Sequence, residues 1–137
     1  MSAEPIPAAV SRASAIAHDG LIYVTGGNGT DGAPRAEAYR YDPMAAMSTP
    51  LSPLPRPVAG HASAVVDGRL WLLGTGDFTP QGFAPIPVYE FATDAWTLVD
   101  DTNGNAAGEG VAAMVQPSGE IMLIGALGGT STVRTSP

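Results

Sequence analysis

Asp19-Gly20-Leu21-Ile22-Tyr23-Val24-Thr25-Gly26-Gly27 is followed by Asp67-Gly68-Arg69-Leu70-Trp71-Leu72-Leu73-Gly74-Thr75, and then by Ser118-Gly119-Glu120-Ile121-Met122-Leu123-Ile124-Gly125-Ala126. Each stretch reads as a turn dipeptide, a short apolar run and a closing glycine. The starts lie 48 residues apart (67 − 19) and then 51 apart (118 − 67). That spacing belongs to repeat architectures in which one supersecondary unit stacks on the next. The same 48-residue shift carries Pro5-Ile6-Pro7 onto Pro53-Leu54-Pro55, Val10 onto Val58, Ala15 onto Ser63 and Tyr41 onto Tyr89. Independent coincidences at one offset mark a duplication.

The local chemistry within each unit describes antiparallel strands. Asp-Gly and Ser-Gly pairs supply the positive φ that a tight hairpin turn needs between two apolar runs. The first unit is predicted to place strands over 13–17, 21–25, 36–41 and 47–51. The second places them over 61–66, 69–73, 87–91 and 96–100, with Gly, Pro, Asp and Thr between them. The second strand of each unit is apolar on both faces, as expected of a sheet sandwiched between two others.

Gly20, the pair Gly26-Gly27, Tyr41-Asp42-Pro43, Pro53-Leu54-Pro55-Arg56 and Gly60-His61-Ala62 together resemble the kelch repeat. Gly68, Gly74, Tyr89 and Trp96 continue the pattern in the second unit, and Gly119 and Gly125 in the third. The departures are Ser48, where Trp96 predicts a tryptophan, and the decay of the double glycine to Gly74-Thr75 and Gly125-Ala126. The resemblance implies an all-β chain of about three kelch-type β-propeller blades, each four antiparallel strands, the last incomplete. Residues 1–11 read as a partial outer strand or linker, 12–59 as blade 1, 60–107 as blade 2 and 108–137 as an incomplete blade 3. Val133 aligns with Tyr39, so the sequence predicts a third blade that stops after its third strand. Propellers commonly close with 4 to 8 blades. Three blades are therefore expected to be part of a longer propeller, or half of a six-bladed ring made as a homodimer in which residues 1–7 complete the partner's unfinished blade.

Composition narrows the function. A net charge of −7 with no lysine repels a polyanion, so nucleic acid is a poor partner. The same absence excludes a Schiff-base lysine, and the absence of cysteine excludes disulfides, thiolate catalysis and zinc–cysteine sites. Glu4 stands where a secretory signal would be basic, and no apolar run approaches the roughly 20 residues of a membrane helix. The expectation is a soluble chain without membrane contact, with the cytoplasm favoured.

No catalytic residue, metal ligand or cofactor site is signalled. His18 and His61 fall at different phases of the repeat, and are read as a solvated turn residue and a strand residue bonded to backbone. Asp100-Asp101 lacks the alternating acids and closing glutamate of a calcium loop, and no helix follows Gly26-Gly27-Asn28-Gly29 to make a phosphate cradle. Tyr23, Tyr39, Tyr41, Trp71, Tyr89, Phe91 and Trp96 are assigned to packing between blades. The connections between second and third strands, 28–35 and 77–85, supply the binding candidates: Asp31, Arg35, Asp77, Phe78 and Phe83. Phe78 and Phe83 stand out as large apolar residues in a loop. The favoured function is a non-catalytic module binding a protein or carbohydrate through these loops. The alternative is part of an enzyme on the same scaffold, since kelch-like propellers include copper-dependent sugar oxidases and a sialic acid epimerase family. The oxidase type relies on a cysteine–tyrosine crosslink that a chain without cysteine cannot form.

Overall fold

The computed structural model describes residues 11–74, 78–79, 82–83, 85–99, 111–125 and 129–133. All the regular structure in them is antiparallel strand, and the chain divides into two compact units, Met1–Ala59 and Gly60–Pro137.

The first unit holds one four-stranded meander, in the order β1 (Ser14–His18), β2 (Leu21–Thr25), β3 (Ala38–Asp42), β4 (Met47–Pro50). Asp19 and Gly20 both take positive φ, 53° and 79°. This is the geometry of a two-residue turn whose twist matches the flanking strands. Strand pairing then fixes two faces. Ile16, Tyr23 and Arg40 lie on one, while Ala15, Ala17, Ile22, Val24, Tyr39, Tyr41 and Ser48 lie on the other. The Pro53-Leu54-Pro55-Arg56 segment runs back along the third-strand side. Leu54 N–H donates to Ala36 O at 2.7 Å, and Leu54 and Val58 are buried.

The double glycine has a steric cause. Gly27 has φ +96°, and a Cβ there would stand 2.9 Å from the carbonyl oxygen of Ser11 and 3.0 Å from Cβ of Ala13. Its N–H donates to Val58 O at 2.8 Å, so the segments before and after the sheet are tied together at a residue that admits no side chain.

The second unit holds β5 (Ala62–Val66), β6 (Arg69–Leu73), β9 (Ile86–Glu90) and β10 (Ala95–Val99) in one sheet, ordered β10-β9-β6-β5. Asp67 and Gly68 repeat the two-residue turn with φ 51° and 73°. A short hairpin, β7 (Phe78–Thr79) with β8 (Gly82–Phe83), is inserted between β6 and β9. The sequence reads this stretch as a plain loop. Two-residue strands carry too little periodicity to register as strands.

The third sheet is β11 (Val111–Val115), β12 (Ile121–Gly125), β13 (Gly129–Val133). Its first turn departs from the other two. Gly119 N–H donates to Gln116 O at 2.8 Å, and only Gly119, not Ser118, has positive φ. Pro117 presets the first central residue of a common turn, leaving the left-handed position to the glycine. The strand alignment also needs correcting by two residues. Ile121 pairs Val133 where the equivalent Ile22 pairs Tyr41, so Val133 corresponds to Tyr41 rather than Tyr39. An even shift leaves every side chain on its expected face.

The core of this unit joins two sheets. Ala64, Val66, Trp71, Leu73, Ile86 and Val88 form one buried cluster with Ile121 and Leu123, and Ala113 packs against it. One face of the second blade thus covers one face of the third. All four residues from Leu70 to Leu73 are buried, which is the two-faced burial expected of a blade interior.

Candidate functional site

The connection from β2 to β3 is a built hairpin rather than a free loop. Gly32 N–H donates to Gly29 O at 2.9 Å and Gly29 N–H to Ala33 O at 2.9 Å. One oxygen of the Asp31 carboxylate accepts Ala33 N–H at 3.0 Å, an Asx turn that locks the tip. The base is tied on both sides, with Arg35 N–H donating to Gly27 O at 2.8 Å and Val58 N–H to Arg35 O at 3.1 Å. Asp31 therefore serves the turn with its exposed carboxylate, and Arg35 sits where the hairpin rejoins the body of the blade.

The guanidinium of Arg35 lies across Gly29. A Cβ on that glycine would collide with Nε and stand 2.9 Å from Cζ and Nη2. Arg35 is half-buried, and its Nε is buried with no hydrogen-bond partner among the described residues. A buried N–H without an acceptor costs about 1–3 kcal/mol, more where charge is involved. The contact between Arg35 and Gly29 depends on closure of the hairpin, so sequence alone singles out Arg35 without showing what holds it.

Of the remaining candidates, Asp77 lies outside the described residues. Phe78 and Phe83 are directly paired across the β7–β8 hairpin, which occupies the same position in blade 2 as the Asn28–Arg35 hairpin does in blade 1. Their side chains lie outside the described residues, as do Asp100-Asp101, Glu109 and residues 1–7.

The histidines are not brought into a common site. His61 sits just before β5, is buried, and has its pKa lowered from 6.5 to about 4 by desolvation. It is therefore neutral at pH 7. His18 closes β1 and is half-buried, its ring 6.3 Å from that of Tyr23; it is a strand residue and not the solvated turn residue expected. The hairpin fixes the pairing of β1 with β2 and so carries His18 alongside Leu21, next to Tyr23. Among the described residues no group of three or more His, Asp or Glu side chains is placed to hold a metal ion. A shallow open depression on blade 1 is lined by Leu21, Arg40, Asp42, Ala45, Met47 and Thr49.

The aromatic positions of the repeat are structural. Trp96 stands directly opposite Tyr89, with ring centroids 4.9 Å apart; Phe91 meets the same tyrosine edge-on at 5.6 Å. The Tyr89 hydroxyl donates to Asp94 Oδ1 at 2.7 Å across the turn. In blade 1 the equivalent pair is Tyr41 opposite Ser48. The chain is similar to known proteins. An F-box/kelch-repeat protein of Arabidopsis thaliana is 32% identical over 79 residues, covering 57% of this chain and 21% of that protein. The repeats are similar to kelch repeats. The solved structure of YjhT superposes with a TM-score of 0.71 at 20% identity, over 88% of this chain and 35% of that one, and shares the propeller fold. No family model matches the chain. The chain thus spans about a fifth of the curated relative and about a third of the solved neighbour, measured on their own lengths. Among the described residues no helix is long and apolar enough to cross a membrane.

Proposed function

We propose that this kelch-type module is a non-catalytic binding unit that presents the Asn28–Arg35 hairpin to a carboxylate-bearing partner, protein or carbohydrate, with Arg35 as the contact. The observation that carries the reading is the guanidinium held against Gly29 with a buried Nε lacking a hydrogen-bond partner among the described residues. A carboxylate would supply the missing acceptor in the planar, paired geometry that a guanidinium favours. The Asx turn at Asp31 and the backbone ties at Gly27 and Val58 hold the hairpin before any ligand arrives, so little ordering entropy opposes binding. Asp77, Phe78 and Phe83 belong by sequence to the corresponding connection of blade 2.

The test follows the Arg35 Nε–H resonance by nuclear magnetic resonance while an acidic peptide and a hexuronate oligosaccharide are added separately. One of the two should shift the resonance in the wild type. Arg35→Gln should abolish that binding. Gly29→Ala should weaken it at least tenfold while leaving the thermal midpoint close to wild type, because the added methyl displaces the flexible end of Arg35 and not the backbone. No shift with either ligand, or unaltered binding by Gly29→Ala, overturns the reading.

A further inference from the structure

Asn28-Gly29 opens the hairpin between β2 and β3, and the dipeptide has a reactivity of its own. An asparagine side-chain amide can be attacked by the main-chain nitrogen of the next residue. Glycine in that place favours the attack, because it has no Cβ to hinder the approach and its backbone turns freely. The chain has two such pairs, Asn28-Gly29 and Asn103-Gly104, of which the second lies outside the described residues.

The fold holds the first pair in check. Asn28 forms antiparallel bridges with both Ser11 and Pro34. Its N–H donates to Ser11 O at 2.6 Å, and its carbonyl accepts Ser11 N–H at 3.0 Å. Gly29 N–H, the attacking group, donates to Ala33 O at 2.9 Å, while Gly29 O accepts Gly32 N–H at 2.9 Å. The bridges keep the Asn28 backbone extended, and the bond to Ala33 occupies the nitrogen. The pair is nonetheless only half-buried and Thr30 beside it is exposed, so water reaches Asn28 once the hairpin opens. Local opening of such a short element costs far less than unfolding the domain.

We propose that Asn28 is a self-modification site, and that closure of the Asn28–Arg35 hairpin gates its conversion to aspartate and isoaspartate. In the opened hairpin the Gly29 nitrogen gives its proton to solvent base and attacks Asn28 Cγ. The N–Cγ bond forms, the Cγ–Nδ2 bond breaks, and ammonia leaves with a proton returned from solvent. A five-membered succinimide is left, and water opens it at either carbonyl. Breaking N–Cγ restores the ordinary chain as aspartate. Breaking the bond from the nitrogen to the main-chain carbonyl carbon sends the chain through Cβ and Cγ as isoaspartate. The sum is one water taken up and one ammonia released, with no oxidant, metal or cofactor. This step needs no ligand at Arg35.

The two products differ in what they do to the hairpin. Aspartate keeps the backbone, so the bridges to Ser11 and Pro34 can re-form. Isoaspartate turns the carbonyl that accepts Ser11 N–H into a free carboxylate and inserts a methylene ahead of Gly29, which displaces Gly29 from Ala33 and Gly32. A transient opening thereby becomes a permanent one.

The test ages the full chain at mildly alkaline pH in oxygen-18 water, native and in unfolding urea, and follows residue 28 by peptide mapping, separately from Asn103. Native conversion should be slower than unfolded by about tenfold or more. Asp31→Ala removes the oxygen that holds Ala33 N–H at the hairpin tip. It should speed native conversion by about threefold or more and leave the rate in urea unchanged. Hydrogen exchange on the aged protein, read on the separated product peptides, should show the Gly29 and Gly32 amides unprotected in the isoaspartate form. The same amides should stay protected in the aspartate form and in Asn28→Asp, which carries the charge without the added methylene. Equal native and unfolded rates overturn the proposal, as do no conversion in urea, an Asp31→Ala rate equal to wild type, or an isoaspartate form that keeps its protection.

Discussion

Acid should destabilise unit 2 through His61, by an amount that the burial of this one side chain sets. Its folded pKa of about 4 lies below the unfolded value of 6.5. The unfolded state therefore binds the extra proton first, and the stability tied to the neutral ring is whole above pH 6.5. It falls as pH drops through the window between the two values, and the loss saturates below about 4. At 1.36 kcal/mol per unit the full effect is roughly 3 kcal/mol, and about 2 kcal/mol of it appears between pH 7 and pH 5. That is a large share of the stability of an ordinary domain. Urea unfolding of the wild type and of His61→Asn, followed by tryptophan fluorescence at both pH values, isolates the contribution, because the carboxylates titrate alike in the two proteins. The wild-type midpoint should drop by about 1 M more than that of the variant, for a urea slope near 2 kcal/mol per molar. Equal drops would refute the assignment of the lowered pKa to burial of His61.

The remaining predictions concern the repeat itself. Gly27→Ala should cost more than about 2 kcal/mol, since strain at positive φ adds to collision with the Ser11 carbonyl, whereas Gly68→Ala has open space around it and should cost about 1 kcal/mol; paired thermal melts compare them. Tyr89→Phe removes the hydroxyl donated to Asp94 and should lose about 1 kcal/mol, read from urea titrations. Ser48→Trp places an aromatic opposite Tyr41 and, by analogy with Trp96 on Tyr89, should gain about 0.5–1 kcal/mol in the same assay.

What was legible in the sequence was what local chemistry dictates. Asp19-Gly20 and Asp67-Gly68 specify their turns by backbone preference, and the strands that follow begin where expected. The repeat positions of Tyr89 and Trp96, and the departure at Ser48, were equally visible, but the sequence reading assigned both rings to packing between blades, whereas they stand opposite each other within one sheet. Ser118-Gly119 misled, since Pro117 redirects the turn in a way that a dipeptide does not announce. His18 was read from its turn neighbours, yet the pairing of β1 with β2 brings it near Tyr23. The Arg35–Gly29 contact and the unequal burial of Ile22 and Ile121 were hidden for a different reason. Ile22 and Ile121 are the same residue type at the same phase of the repeat, and only three-dimensional neighbours make one half-buried and the other buried.

The outermost strands have a bearing on how the chain behaves at high concentration. In the described residues β4 and β10 each end a sheet, with one row of backbone donors and acceptors turned outward. Pro50, which has no N–H to offer, blunts β4 at its end. β10 has no proline and leaves Leu98 and Val99 exposed, 49% and 36%. Two acids, Asp100 and Asp101, follow it in sequence, the kind of charged flank that opposes stacking of one apolar strand on another. Handling the protein near its isoelectric point of about 4.4 removes the net repulsion between molecules and leaves this edge the more open to stacking.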